Sequence, residues 1–434
     1  GPVLSDEFQD FRRRWGAFPI RSREVIGLCM ENGRQCLLAY LTLASMDAVV
    51  SPLPPTLPFE ERIRLWKKLG CRFYLDEEGC HNLSVGDPAI WPEDIHWVMH
   101  SSGSTGVPKA IPLTFSSLRQ NAEDTMALLD RNSKSLHLGS MSMCYTNGLY
   151  NSFLLPLVTG EKIFLGPVAT ALKFKIFLRI IKSYSPTWVW INPTILKFMI
   201  RQADPEIVSR SRALISCTAP LSQKNCLAAE NKFGIPVLQS YGLTETLIVS
   251  LEQLGRRAET QFSAGMIAGG ASSVRFTDNV LVIQNNAVSP GYVQRRGATL
   301  QFKFDKGKPG MVFKSGDLGR LDEGGRLHIT GRETNVINID GVKVSPEQIE
   351  EVLNGFKDIE EAVVLGVPDQ RGTERPVAVI RSTGSPDLDN LADACARRLG
   401  AKARPATILV VDSIPTTENE KVDRSKIKEL LARA

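Results

Sequence analysis

The stretch His100–Ala110, HSSGSTGVPKA, gathers groups suited to gripping a phosphate. Ser101, Ser102, Ser104 and Thr105 offer hydroxyls. Gly103 and Gly106 allow backbone N–H groups to turn inward on an anion. Lys109 adds a compact positive charge. The spacing differs from the common P-loop, in which Lys follows Gly directly; here Val107 and Pro108 part Gly106 from Lys109. Taken alone, the stretch fits a flexible Ser/Gly surface loop equally well.

Four later segments carry compatible chemistry. In SYGLTET (Ser240–Thr246), Thr244 offers a hydroxyl to phosphate and Glu245 a hard oxygen ligand to Mg2+. The same pair also fits a helix N-terminus, with Thr244 as cap and Glu245 favouring the dipole. In FKSGDLGRL, Asp317 presents a carboxylate able to accept from two vicinal hydroxyls, or to serve its own turn. Arg332 in ITGRET offers donors to ribose or phosphate, and SPEQIEE beyond it reads as a helix start capped by Ser345, with Pro346 in the first turn. Lys421 sits in the polar run PTTENEKVDR, where a solvated lysine is the ordinary reading.

These residues need a scaffold, and the hydrophobic pattern supplies one. VIGLCM, AVVSPL and CRFYLD read as buried strands alternating with helices over GRQCLLAYLTLASMD and PFEERIRLWKKLG. The alternation resumes after the Ser/Gly stretch with strands at SLHLGSMSM, EKIFLG, PTWVWIN, RALISCT and IPVLQSYG, and a helix over Asn147–Leu157. This is the signature of a parallel α/β sheet. From about Ala264 strands and turns replace helices, implying an antiparallel β unit. After Arg332 a hairpin (NVINIDGVKVS), three further strands and three helices make a small α+β domain. The expected fold is therefore α/β: a large domain over residues 1–331, with parallel sheets and the antiparallel unit, and a smaller domain over 332–434.

Composition narrows the class. The 434 residues are 43% apolar and 23% charged, with a net charge of +5. The mild charge suits small anions better than a nucleic-acid duplex, which calls for a dense basic stripe. The densest run, FRRRW at Phe11–Trp15, reads as a solvated helix face. No apolar run approaches the 18 or so residues that span a bilayer. Eight cysteines without a Cys-x-x-Cys pair, several in apolar runs, suggest reduced core thiols and a cytoplasmic protein. The leading Gly1-Pro2 reads as a remnant of tag removal.

Together and in order, SSGSTGVPK, YGLTE, SGD, GRETNVINIDGVKVSPEQIE and PTTENEKVDR resemble the motifs of the adenylate-forming superfamily, which includes acyl- and aryl-CoA synthetases, nonribosomal-peptide adenylation domains and firefly-type luciferases. The resemblance extends over essentially the whole chain. It implies an ATP- and Mg2+-dependent ligase that joins a carboxylic acid to AMP, releasing pyrophosphate, and then passes the acyl group to a phosphopantetheine thiol to form a thioester. CoA is the first expectation for the acceptor and a carrier protein the alternative. A non-catalytic nucleotide- or acyl-binding relative is the rival from another class.

By matched position, the resemblance implies that Ser101–Lys109 hold the β- and γ-phosphates. Thr244 touches the α-phosphate, Glu245 holds Mg2+, and Tyr241 and Gly242 lie by the adenine. Asp317 and Arg332 hold the ribose. Lys421 bridges the attacking carboxylate and the α-phosphate, and Gly341 and Lys343 approach on the thiol side after the small domain rotates. The acid pocket is expected to draw on Tyr145, Thr146, Asn147, Asn192, Cys217, Thr218 and Ile248. The sequence departs from the family pattern at Thr334 in the hinge, Glu420 before the lysine, Asp340 beside Gly341, Tyr145, and Thr218 where glycine is common. The family's ammonium-binding Asp aligns with Thr146, which turns the expectation towards an apolar or aryl acid rather than an α-amino acid.

Overall fold

The computed structural model describes residues 2–15, 18–83, 88–101, 108–129, 135–255, 263–296, 299–303, 312–369, 373–416 and 422–433. The chain divides into two compact units. The first comprises Gly1–Thr218, Ala229–Arg275 and Ile283–Phe313; the second comprises Ala219–Ala228, Phe276–Val282 and Lys314–Ala434.

The first unit carries two sheets. One contains β1 (Val25–Cys29), β2 (Val49–Pro52), β3 (Phe73–Asp76), β4 (Cys80–Asn82), β5 (Ile95–Ser101) and β6 (Lys109–Thr114), in the order β4-β3-β1-β2-β5-β6. Its interior pairs are parallel, and β4 and β6 close the two edges antiparallel. β1 and β2 are buried along their whole length, as strands covered on both faces must be. The other sheet contains β7 (Leu136–Gly139), β8 (Lys162–Leu165), β9 (Trp188–Ile191), β10 (Ala213–Ser216), β11 (Val237–Leu243), β12 (Leu247–Leu251) and β13 (Met266–Ile267), in the order β13-β12-β11-β10-β9-β7-β8. Strands β7 to β11 pair in parallel, and β11-β12-β13 turn antiparallel. One core joins both sheets, drawing Ile26 and Met99 together with Trp188, Trp190 and Ile215. Beyond it the strands Tyr292–Arg296 and Thr299–Lys303 form an antiparallel pair, in keeping with the expected β unit.

The interior of this unit also holds a paired polar cluster. His137 and Glu161 are fully or almost fully buried, with His137 Nε2 2.8 Å from Glu161 Oε2. Trp190 Nε1 donates to His137 Nδ1 at 3.3 Å, so Nε2 carries the proton that meets the carboxylate. The pairing satisfies one oxygen of the buried carboxylate, while Glu161 Oε1 has no partner among the described residues.

In the second unit, Phe313–Leu321 pairs antiparallel with Leu327–Arg332. Ile337–Ile339 and Val342–Val344 form the expected hairpin, whose turn residues Asp340 and Gly341 have φ of 49° and 82°. That double positive φ is the conformation Asp-Gly favours in a two-residue hairpin. Ile359–Pro368, Glu374–Ser382 and Thr407–Val410 make a three-stranded sheet backed by the helices Pro346–Asn354 and Leu388–Leu399.

Three expectations need correction. The segment expected as one helix over Asn147–Leu157 is a π-helix, Asn147–Leu154, followed by a short α-helix, Leu155–Thr159. Gly148–Leu154 are all buried, so no one-sided apolar pattern is present to reveal the wider turn. Thr244 and Glu245 do not start a helix: β11 and β12 are antiparallel neighbours, and these residues lie in the turn between them. Ser345 precedes the helix Pro346–Asn354, but its hydroxyl donates to Thr330 O and contacts Glu347 Oε2 instead of capping.

Candidate active site

The site is built on strand ends. Ser101 closes β5 and Lys109 opens β6, and the two are register partners. Ser102, Gly103, Ser104, Thr105 and Gly106 between them lie outside the described residues, as does Lys421. Lys109 Nζ stands 4.4 Å from the ring centroid of Tyr292.

His100, one residue before the pair, is held close to neutral. Its Nε2 is 3.1 Å from Ser51 Oγ, and its Nδ1 is sealed from solvent with no partner among the described residues. Burial pushes the imidazole from its ordinary 6.5 down to about 4. Between those values the unfolded chain binds a proton that the folded chain refuses. The stability contributed is complete above pH 6.5 and falls as the pH drops towards 4. The slope is at most about 1.4 kcal/mol per pH unit. Thermal unfolding followed from pH 7 to pH 4.5 is expected to show this loss in the native protein, and His100→Gln to flatten it.

The nucleotide motif sits on the β11–β12 hairpin. Tyr241 and Gly242 are on β11 itself, with a register shift between them. Gly242 cannot be replaced cheaply, because a Cβ there would lie 2.2 Å from Leu247 O. Thr244 Oγ1 is 3.2 Å from Thr146 Oγ1. Glu245 Oε1 accepts from the Tyr292 hydroxyl at 2.9 Å. Ser289, fully buried, donates its N–H to Glu245 O and its hydroxyl to Pro112 O on β6, each at 2.7 Å. This serine ties the hairpin turn to the strand that carries Lys109.

A narrow cleft opens beside this hairpin. Thr146, Asn147, Cys217, Thr218 and Ile248, all expected from the sequence, line it. Asn151, Ser240, Leu243 and Leu247 join them. Asn151 follows Asn147 by four residues on the π-helix, and Ser240 opens the stretch SYGLTET, so their neighbours in sequence had marked the region. Tyr145 and Asn192 are not among the lining residues. Asn192 Oδ1 caps the helix Pro193–Gln202, accepting from Ile195 N at 2.8 Å. Asn121 fixes the far wall: its amide donates to Ile248 O at 2.7 Å and its Oδ1 accepts from Ile248 N at 3.2 Å, as a paired strand would. Tyr150 on the π-helix donates to the same Oδ1 at 2.7 Å. At the start of the same helix Gly148 lies against the preceding segment, where a Cβ would fall 2.0 Å from Ser142 O.

Two lining residues hold unusual backbone. Thr218 has φ of 80° and Leu247 of 58°. The left-handed region is costly for any residue with a Cβ and more so for a β-branched one. The cleft thus stores backbone strain at Thr218 and Leu247.

In the second unit, Asp317 and Arg332 are register partners on adjoining strands. Asp317 is buried, and Arg332 Nε donates to its Oδ1 at 2.6 Å. Lys343 lies opposite Asn338 in the Ile337–Val344 hairpin and is exposed, as is Gly341.

The donor set suits Mg2+. Among the described residues no three His, Cys, Asp or Glu side chains gather as a metal cage. Glu245 offers one carboxylate, and the Tyr292 hydroxyl occupies only its Oε1. Mg2+ commonly takes one or two protein carboxylates and completes its shell with phosphate oxygens and water.

The chain is similar to known proteins. A model of the AMP-binding enzyme family matches residues 76–279, and a model of the AMP-binding enzyme C-terminal domain matches residues 348–421; together they cover more than half of the chain. A probable CoA ligase, CCL9 of Humulus lupulus, is 28% identical over 358 residues, covering 78% of this chain and 66% of its own length. The chain therefore spans about two thirds of that relative. The 2-succinylbenzoate–CoA ligase of Bacillus pumilus is 25% identical over 98% of this chain and 92% of its own. Among solved structures, the anthranilate CoA ligase AuaEII in complex with anthranoyl-AMP superposes with a TM-score of 0.84 at 19% identity, covering 99% of this chain and 92% of that one.

Proposed function

The chain belongs to the AMP-binding, adenylate-forming enzyme family, and from that premise we propose that it is an ATP-dependent acid–CoA ligase. A carboxylate oxygen of the substrate attacks the α-phosphorus of ATP. The bond to the β-phosphate breaks, pyrophosphate leaves, and an acyl-adenylate remains. The thiol of CoA then attacks the acyl carbon, loses its proton to solvent, and displaces AMP.

The observation that carries this reading is the contact between Thr146 Oγ1 and Thr244 Oγ1, 3.2 Å apart. It joins the wall of the acid cleft to the motif assigned to the α-phosphate, so an acid in the cleft would present its carboxylate where attack must occur. Holding the two reactants in this geometry replaces a chance encounter. Lys109 and the loop Ser101–Gly106 are assigned to the pyrophosphate end, Glu245 to the metal, Asp317 and Arg332 to the ribose, and Lys421 to the two anions that meet. Mg2+ when bound neutralises triphosphate charge. The small domain, residues 332–434, is assigned the alternation that brings Lys421 and then Gly341–Lys343 to the reaction.

The cleft chemistry supports a small acid. Leu243, Leu247 and Ile248 offer apolar contact to an aryl ring or short chain, while Asn147, Asn151, Thr218 and Ser240 offer hydrogen bonds. No charged side chain is among the described residues lining it, which suits neither an α-ammonium group nor a second carboxylate. The described cysteines are all free thiols, which fits a cytoplasmic setting. No helix among the described residues is long and apolar enough to cross a membrane.

Acid-dependent ATP–pyrophosphate exchange over a panel of carboxylic acids tests the reading. Short apolar or aryl acids bearing one hydrogen-bonding substituent are expected to support exchange, and CoA to receive the acyl group. A panel with no active member overturns it. Thr218→Gly is expected to relieve the backbone, stabilising the fold by about 1 kcal/mol. The same variant is expected to lower KM for bulkier acids about tenfold, since a few methylene-sized contacts set such discrimination.

A further inference from the structure

Tyr292 lies outside every motif that suggested the function, yet it touches two of the residues on which that function rests. Its ring faces the Lys109 ammonium, 4.4 Å from the centroid, and its hydroxyl donates to Glu245 Oε1 at 2.9 Å. The ring position is fixed by backbone as well. Ser289 Oγ accepts from Gly291 N at 3.3 Å, while Ser289 itself is bonded to both Glu245 O and Pro112 O. Three separate elements, the start of β6, the β11–β12 turn and the strand Tyr292–Arg296, therefore converge on one phenol.

We propose that Tyr292 is a positioning residue that couples metal binding to triphosphate binding. This rests on the nucleotide and metal roles assigned to Lys109 and Glu245. A direct Lys109–Glu245 ion pair would have to be broken before either group met ATP or metal. The ring keeps the two apart and gives each a weaker partner that is easily exchanged. The hydroxyl holds one carboxylate oxygen and leaves Oε2 for a hard cation, as the outer partners of metal ligands do. A cation over the ring also polarises the phenol and strengthens its hydrogen bond to Glu245. When Lys109 turns to the phosphates, that hold slackens and the carboxylate is released to the metal. Binding of the two ligands is thereby made mutually favourable, a reciprocal coupling.

Calorimetric titration of ATP, in EDTA and at saturating Mg2+, tests this without reference to turnover. Tyr292→Phe keeps the ring under Lys109 and removes only the hydroxyl. ATP affinity in EDTA is expected to stay within about twofold of the native protein, whereas the tightening produced by Mg2+ falls about tenfold. Tyr292→Phe combined with Glu245→Gln is expected to bind no more weakly in Mg2+ than Glu245→Gln alone, because the tyrosine acts through that carboxylate. Equal losses in EDTA and in Mg2+, strict additivity in the double variant, or native Mg2+ tightening in Tyr292→Phe would each overturn the proposal. If the native protein binds no ATP under either condition, the nucleotide reading itself fails; native binding with an indifferent Tyr292→Phe removes only the role of the tyrosine.

Discussion

Lys421→Ala is expected to lower acid-dependent ATP–pyrophosphate exchange by about three orders of magnitude while ATP affinity stays within about threefold. Two anions, a carboxylate and the α-phosphate, must approach to bonding distance. Their repulsion grows as water is excluded, and a cation placed between them acts mainly at that moment. ATP alone requires no such bridge, because its phosphates are assigned to Lys109 and the Ser101–Gly106 loop. The loss should therefore fall on kcat, with KM for ATP almost unchanged. A second readout separates the two half-reactions. Acyl transfer from a supplied acyl-adenylate to CoA does not need the carboxylate–phosphate encounter, so Lys421→Ala is expected to keep it. Exchange at native rates would remove Lys421 from adenylation altogether.

What the sequence made legible follows from what each signal depends on. Val25–Cys29, Val49–Pro52 and Phe73–Asp76 were readable as strands because a parallel strand buried on both faces is a short apolar run between turns, and they pair as expected. The Asp340-Gly341 turn was readable because its backbone conformation restricts residue type. Thr146, Cys217, Thr218 and Ile248 reached the cleft because family motifs fix their place in the chain. Local pattern is silent about contacts made across the fold. The π-helix at Asn147–Leu154 is buried on nearly every side, so no one-sided pattern marks its period, and its Tyr150–Asn121 bond joins residues 29 apart. Asn192, followed by Pro193, already had the form of a cap and a first helical residue. Leu247 and Tyr292 had no local signal at all: one gains its meaning from a strained φ, the other from partners 47 and more residues away.

Asp317→Asn is expected to weaken ATP binding about a hundredfold while leaving kcat at saturating ATP within about threefold. Asp317 is almost fully buried, and Arg332 Nε already donates to Oδ1 at 2.6 Å. Its own N–H is satisfied by Ser315 Oγ at 3.0 Å, so the turn does not depend on the carboxylate for that bond. In the assigned role the carboxylate accepts from the two ribose hydroxyls beside Arg332. In the asparagine variant the amide oxygen must face Arg332, since the guanidinium has only donors to offer. The amide NH2 then points to where the hydroxyls would donate, and two charge-assisted bonds are lost. At about 1.5 kcal/mol each, those two bonds amount to the hundredfold loss. Deoxynucleotides distinguish this from general damage to the strand pair. The native protein is expected to bind 2′-deoxy-ATP and 3′-deoxy-ATP about tenfold more weakly than ATP, and the variant to treat all three alike. A variant that still prefers ATP by the native margin would place the ribose elsewhere and leave the Asp317–Arg332 pair as a cross-strand tie.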